Sequence, residues 1–140
     1  MSILYRIDRQ IGITYTVWAG LVTAAEFLTH ARKLTSDPDW PPYRRLHIAD
    51  LLNASTDASI DPETLLKAAG IFAEKPETIS NMKAAVVASE IFMKATAFER
   101  LMATTQLSII VFNGLDTACK WLGIDSAETK NALQDLRVQK

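Results

Sequence analysis

Ile3, Tyr5 and Ile7 alternate with Leu4, Arg6 and Asp8; past Gly12, Ile13, Tyr15 and Val17 alternate with Thr14, Thr16 and Trp18. Period-two patterning on both sides of a short glycine-bearing turn predicts an antiparallel hairpin with one wetter face. Gly20 is expected to break the second strand. In "TAAE", Thr23 and Glu26 have the spacing of a capping box, and Ala24, Phe27, Leu28, Ala31 and Leu34 follow at helical spacing. "SDPDWPPY" ends this helix, because proline cannot continue it and restricts the residue before it.

"RRLHIADLL" from Arg44 reads as the next strand, with Asn53, Ser55 and Ser59 as turn formers after it. Asp61 then caps a helix with Pro62 at its first position, where a missing N–H costs nothing. Leu65, Ala69, Phe72 and Ala73 form its inward stripe, and Pro76 lies just past its end. "MKAAVVAS" is a near-continuous apolar run suited to a strand covered on both faces. A third helix over 90–104, a fifth strand over 107–112 and a fourth helix with Leu115, Ala118, Cys119 and Leu122 inward complete the alternation. Asp125 and Glu128 open a last helix carrying Ala132, Leu133 and Leu136. The order β-β-α-β-α-β-α-β-α-α predicts an α/β fold, a five-stranded mixed sheet in which an N-terminal hairpin leads into βα units with covering helices. Residues 1–140 read as one domain, with 125–140 a C-terminal helical extension.

Composition narrows the function. Fifteen basic against sixteen acidic residues leave a net charge of −1, with no basic cluster beyond Arg44–Arg45, so neither nucleic acid nor an anionic membrane surface is an expected partner. The longest apolar runs, 84–88 and 109–112, are too short to insert in a membrane, and Arg6, Asp8 and Arg9 interrupt any secretory leader. One cysteine, Cys119, points to a reducing compartment, the cytoplasm. The chain lacks G-x-S-x-G, P-loop, dinucleotide-binding and zinc spacings, so no enzyme, cofactor or metal is expected. His30, one turn after Glu26, reads as half of a surface ion pair. His47 lies on the strand face opposite Leu46 and Ile48, with Arg45 on its own side, a candidate polar site.

Four stretches together resemble the SpoIIAA-like group of the STAS superfamily, the anti-sigma-factor-antagonist fold, over roughly the first seven-eighths of the chain. They are "GLVTAAEF" after the hairpin, "RRLHIADLLNAS", "MKAAVVAS" running into "EIFMKATAFERLM", and "LSIIVFNGLDTACKWLGI". The resemblance implies a single domain that acts through protein partners or holds small ligands without catalysing a reaction. In the antagonist branch a serine in an Asp-Ser-Ser-Gly motif is phosphorylated at the start of the helix after the third strand. The matching segment here is "DAS", Asp57 to Ser59, followed by Ile60: the motif has one serine and no glycine. Asp61 already supplies an anion to the helix start, and Asp57 and Glu63 add like charge, so a phosphate on Ser59, or on Ser55, would compete with resident carboxylates. A turn is favoured over a switch.

The third helix carries the functional expectation. Ile91, Ala95, Phe98 and Met102 make one stripe, while Phe92, Met93, Ala97 and Leu101 spread round the cylinder, more apolar surface than one covering face needs. Phe92, Met93, Phe98 and Met102, with Trp18, are therefore the candidate apolar surface or pocket. Trp18 and Trp40 are expected on the wetter side. Together these point to a STAS-like regulatory or interaction module, a homodimer that meets a protein partner. The alternative is a binder of a small apolar ligand such as a lipid.

Overall fold

The computed structural model describes residues 2–139. One sheet organises them: β1 (Ile3–Asp8), β2 (Ile13–Val22), β3 (Leu46–Thr56), β4 (Lys83–Ala88) and β5 (Ser108–Phe112), adjacent in chain order. β1 pairs antiparallel with β2, and every later neighbour is parallel. Helices α1 (Ala24–Ser36), α2 (Pro62–Ala73) and α4 (Phe92–Met102) cross between successive parallel strands, with a short α3 (Pro76–Ile79) after α2. Strands that advance one place at a time with crossovers of one hand put α1, α2 and α4 side by side on a single face. α5 (Leu115–Leu122) and α6 (Ser126–Arg137) follow β5 and cover the other.

The local signals act as their chemistry dictates. Thr23 accepts the Glu26 amide 3.3 Å away while the Glu26 carboxylate takes the Thr23 amide, closing the capping box of α1. Asp61 accepts from the Thr64 amide at 2.8 Å, and Asp125 from Glu128 at 2.8 Å. In the hairpin turn Gly12 has φ +80°, and a Cβ there would lie 2.8 Å from Arg44 Cγ, so glycine is required twice over.

Both faces of the hairpin are covered. Ile13, Tyr15 and Val17 pack under α5 and α6 with Leu46, Ile48, Cys119 and Leu133. Thr14, Thr16 and Trp18, expected to be wet, are 0%, 1% and 8% exposed beneath α1, α2 and α4. Gly20 does not end β2: with φ +71° it sits inside the strand, which runs on to Val22. Asn53 to Thr56 are likewise strand residues, paired with Ala19 to Val22. One extra β3 residue opposite Trp18 makes a bulge, and the Asp50 carboxylate accepts the Leu52 amide there at 3.0 Å. The other Asp50 oxygen forms a buried ion pair with Arg137, the last residue of α6, tying the C-terminal helix to the central strand.

Candidate functional site

A cavity of about 120 Å³ lies between the sheet and the three helices α1, α2 and α4. On its floor, the sheet side, the small side chains of Thr16 on β2, Ala49 on β3, and Ala84 and Val86 on β4 share the lining with the larger His47, Leu51 and Ile109. Its walls are large. Each helix contributes a phenylalanine, Phe27 from α1, Phe72 from α2 and Phe98 from α4, and Trp18 and Trp40 stand at the two ends. The five rings form one edge-to-face chain, with centroids 5.1 Å apart from Trp18 to Phe27, 6.0 Å to Phe98, 6.0 Å to Phe72 and 6.2 Å to Trp40. Such pairs are rigid and favourable beyond their buried area. Small residues below and propped aromatic rings above are the physical reason the space is not filled.

Five polar side chains, in three groups, break the hydrocarbon lining: Thr16 with His47, His30, and Lys94 with Thr56. Thr16 Oγ1 and His47 Nε2 share a hydrogen bond of 2.8 Å. His47 is partly buried on the cavity wall, and desolvation pushes its pKa from the ordinary 6.5 down to about 3. His30 also lines the space, its ring edge-on to Tyr5 at 5.7 Å, and burial with the nearby Lys33 charge lowers its pKa to about 4. Both imidazoles are therefore neutral at physiological pH. The third group is Lys94, whose ammonium donates to Thr56 Oγ1 at 2.6 Å and to the Asp57 carbonyl at 3.0 Å. Among the described residues no cluster of His, Cys, Asp and Glu has the make-up of a metal site.

The expected site residues are divided by this geometry. Phe98, Trp18 and His47 come together on the cavity wall. Phe92 is half-buried against the same apolar cluster but not on the wall, Met93 is 73% exposed, and Met102 is 1% exposed in the core. Arg45 does not accompany His47. It precedes β3 with φ +54°, and its guanidinium turns away to donate to the carbonyls of Thr78 and Ser80. His30 makes no pair with Glu26: that carboxylate is spent on the capping box, and the ring faces inward. Trp40 is 6% exposed rather than on a wet side. Phe27, Phe72, Thr16 and Lys94 were not singled out from the sequence, since each reads as ordinary stripe, alternation or surface charge within its own element.

The serines are engaged structurally. Ser59 Oγ accepts the Ala24 amide at 2.9 Å and donates to Asp57, joining the start of α1 to the turn before α2. Ser55 lies within β3, opposite Leu21.

No protein-family model matches the sequence, and no curated protein does. Among solved structures, the chain is similar to a protein of the DUF3478 family from Shewanella loihica PV-4 described as having a SpoIIAA-like fold. The TM-score is 0.53 at 15% identity, covering 86% of this chain and 94% of that one. The chain has a SpoIIAA-like fold. In this SpoIIAA-like frame the segment from Asp57 to Ser59 occupies the turn before α2, and the cavity lies under the three helices that the crossovers gather on one face. Among the described residues no helix is long and apolar enough to cross a membrane.

Proposed function

We propose that this chain is a non-catalytic, STAS-like binding module that holds a small apolar molecule in the cavity beneath α1, α2 and α4. The observation that carries this is the five-ring aromatic wall over a floor of alanine, valine and threonine. A dry apolar cavity of about 150 Å³ binds benzene, so a space of about 120 Å³ limits the enclosed part of a ligand to at most a single ring or a compact hydrocarbon body. The polar groups within are few and neutral apart from Lys94, the pattern of a site that orients a ligand rather than transforms one. Among the described residues lining the cavity, no base, nucleophile and oxyanion donor converge on one point.

The test is direct. Native mass spectrometry of freshly purified protein should show an additional mass of the size of a one-ring compound, or, if the protein purifies empty, saturating n-propylbenzene should raise the melting temperature. Clean apo spectra together with no thermal shift would remove the proposal. A second reading, homodimerisation or partner docking through the outer face of α4, draws on Met93 and Leu101, which are 73% and 36% exposed. Light scattering showing a strict monomer at micromolar concentration would end the dimer form of it.

A further inference from the structure

We infer that the cavity takes a small carboxylic acid with an aromatic or compact hydrocarbon body, and that Lys94 holds the carboxylate at the cavity's polar edge. This rests on the binding role proposed above and adds the charge and size of the ligand. Among the described residues Lys94 is the one on the cavity wall that carries a formal charge at neutral pH, since the two histidines are uncharged. Its ammonium has three N–H donors, and the two protein partners are neutral oxygens, Thr56 Oγ1 and the Asp57 carbonyl. Among the described residues no carboxylate forms an ion pair with it. The carboxylate of Asp57, whose carbonyl Lys94 contacts, turns its Oδ1 to the amide and hydroxyl of Ser59, and the Lys94 charge helps to hold it below the usual carboxylate range without a direct ion pair.

A half-buried cation bordering hydrocarbon, bonded to two neutral oxygens and only partly offset by the exposed Asp57 carboxylate, keeps a positive field towards whatever enters. An anion on the ligand balances it, and a charge-assisted hydrogen bond to the spare N–H is the stronger kind. The first turn of α4 presents the same sign: its N-cap is Ile91, which offers no side-chain acceptor to the free amides. The volume limits the body. At about 120 Å³ the space accommodates one ring edge-to-face among Phe27, Phe98 and Phe72, and is too small to enclose a long acyl chain.

The test is a ligand series titrated calorimetrically at pH 7.5 against the wild type, Lys94→Met and Lys94→Arg, with melting temperature as the folding control. The probes are 3-phenylpropionate, its neutral amide, n-propylbenzene and dodecanoate. The wild type should bind the carboxylate about tenfold more tightly than the amide, from the difference in net strength between charge-assisted and neutral hydrogen bonds. Lys94→Met should bring acid and amide within about twofold while n-propylbenzene binding persists, and Lys94→Arg should keep the preference. Equal affinity of acid and amide on the wild type overturns the assignment of the carboxylate and leaves the apolar cavity standing. Tighter binding of dodecanoate than of 3-phenylpropionate overturns the size. If none of the four probes binds at millimolar concentration, the binding role itself fails.

Discussion

Filling the cavity should stabilise the protein and abolish ligand uptake, a combination that a functional hollow allows and a packing requirement forbids. Ala49 is the natural position, at the centre of the floor on β3. Ala49→Leu inserts three carbons into existing space, about 2 kcal/mol of transfer free energy at ~0.8 kcal/mol per buried CH₂. The strain of seating a longer side chain takes back about 1 kcal/mol, because the ring wall fixes the shape available. As a ceiling, the full void of about 120 Å³ corresponds to about 3 kcal/mol at ~24 cal/mol per Å³. The net expectation is a gain of about 1 kcal/mol, or about 4 °C in melting temperature for a chain of this size. Urea denaturation monitored by tryptophan fluorescence measures the first, and calorimetric titration with n-propylbenzene measures the second, which should fall below detection. Ala95→Leu approaches the same space from α4 and separates a local clash from a general result. Loss of more than about 2 kcal/mol in both variants would mean that the space is not available to carbon. Undiminished n-propylbenzene binding in stabilised variants would mean that the ligand sits elsewhere.

Three further outcomes follow from particular contacts. Arg137→Met strands the Asp50 carboxylate, 2% exposed, with only the Leu52 amide; the loss should be about 3 kcal/mol, and Asp50→Asn in the same chain should recover most of it, whereas strictly additive losses in a double-mutant cycle would refute the pairing. His30 and His47 have folded pKa values of about 4 and about 3 against an ordinary 6.5, so the unfolded chain binds more protons in between; stability should be full above pH 6.5 and fall as pH drops towards 4, by about 2 kcal/mol per histidine at pH 5. His47→Gln should flatten that slope in a series of melting curves, and an unchanged slope would count against burial as the cause. Ser59→Ala removes both the acceptor for the Ala24 amide and the link to Asp57, and should cost about 1 kcal/mol in chemical denaturation; no measurable cost would show the turn to be held by other contacts.

The elements whose signals are local were legible in the sequence. The capping box at Thr23, the Asp61–Pro62 start and the alternation of the hairpin each depend on a few neighbouring residues, and each gives the element it implies. What was not legible depends on register and on what covers a face. Asn53 to Thr56 have the composition of a turn, yet the parallel partner Ala19 to Val22 supplies hydrogen bonds that outweigh that preference. Thr14, Thr16 and Trp18 look like the wet side of a two-layer hairpin. They are buried because α1 returns over β2, which no period within β2 itself reveals. The four-residue α3 is too short to leave a periodic signal.

The candidate site is the extreme case of the same limitation. Phe98, Trp18 and His47 were visible as individual oddities, a surplus aromatic ring, a tryptophan at a strand end and a polar ring on a buried strand. Phe27 and Phe72 were not odd at all, since each sits on the apolar stripe of its own helix. The hollow belongs to the ensemble: three stripes converge on a sheet face where Thr16, Ala49, Ala84 and Val86, among larger neighbours, are too small to meet them. A void of this kind forfeits dispersion contacts along its whole lining, and the Thr16–His47 pair beside it adds the desolvation of two polar groups. A single methyl-to-isobutyl change at Ala49, Ala84 or Ala95 would remove much of that cost. The site is therefore an energetic cost that three alanine positions could remove, and a bound ligand, as proposed, would offset it.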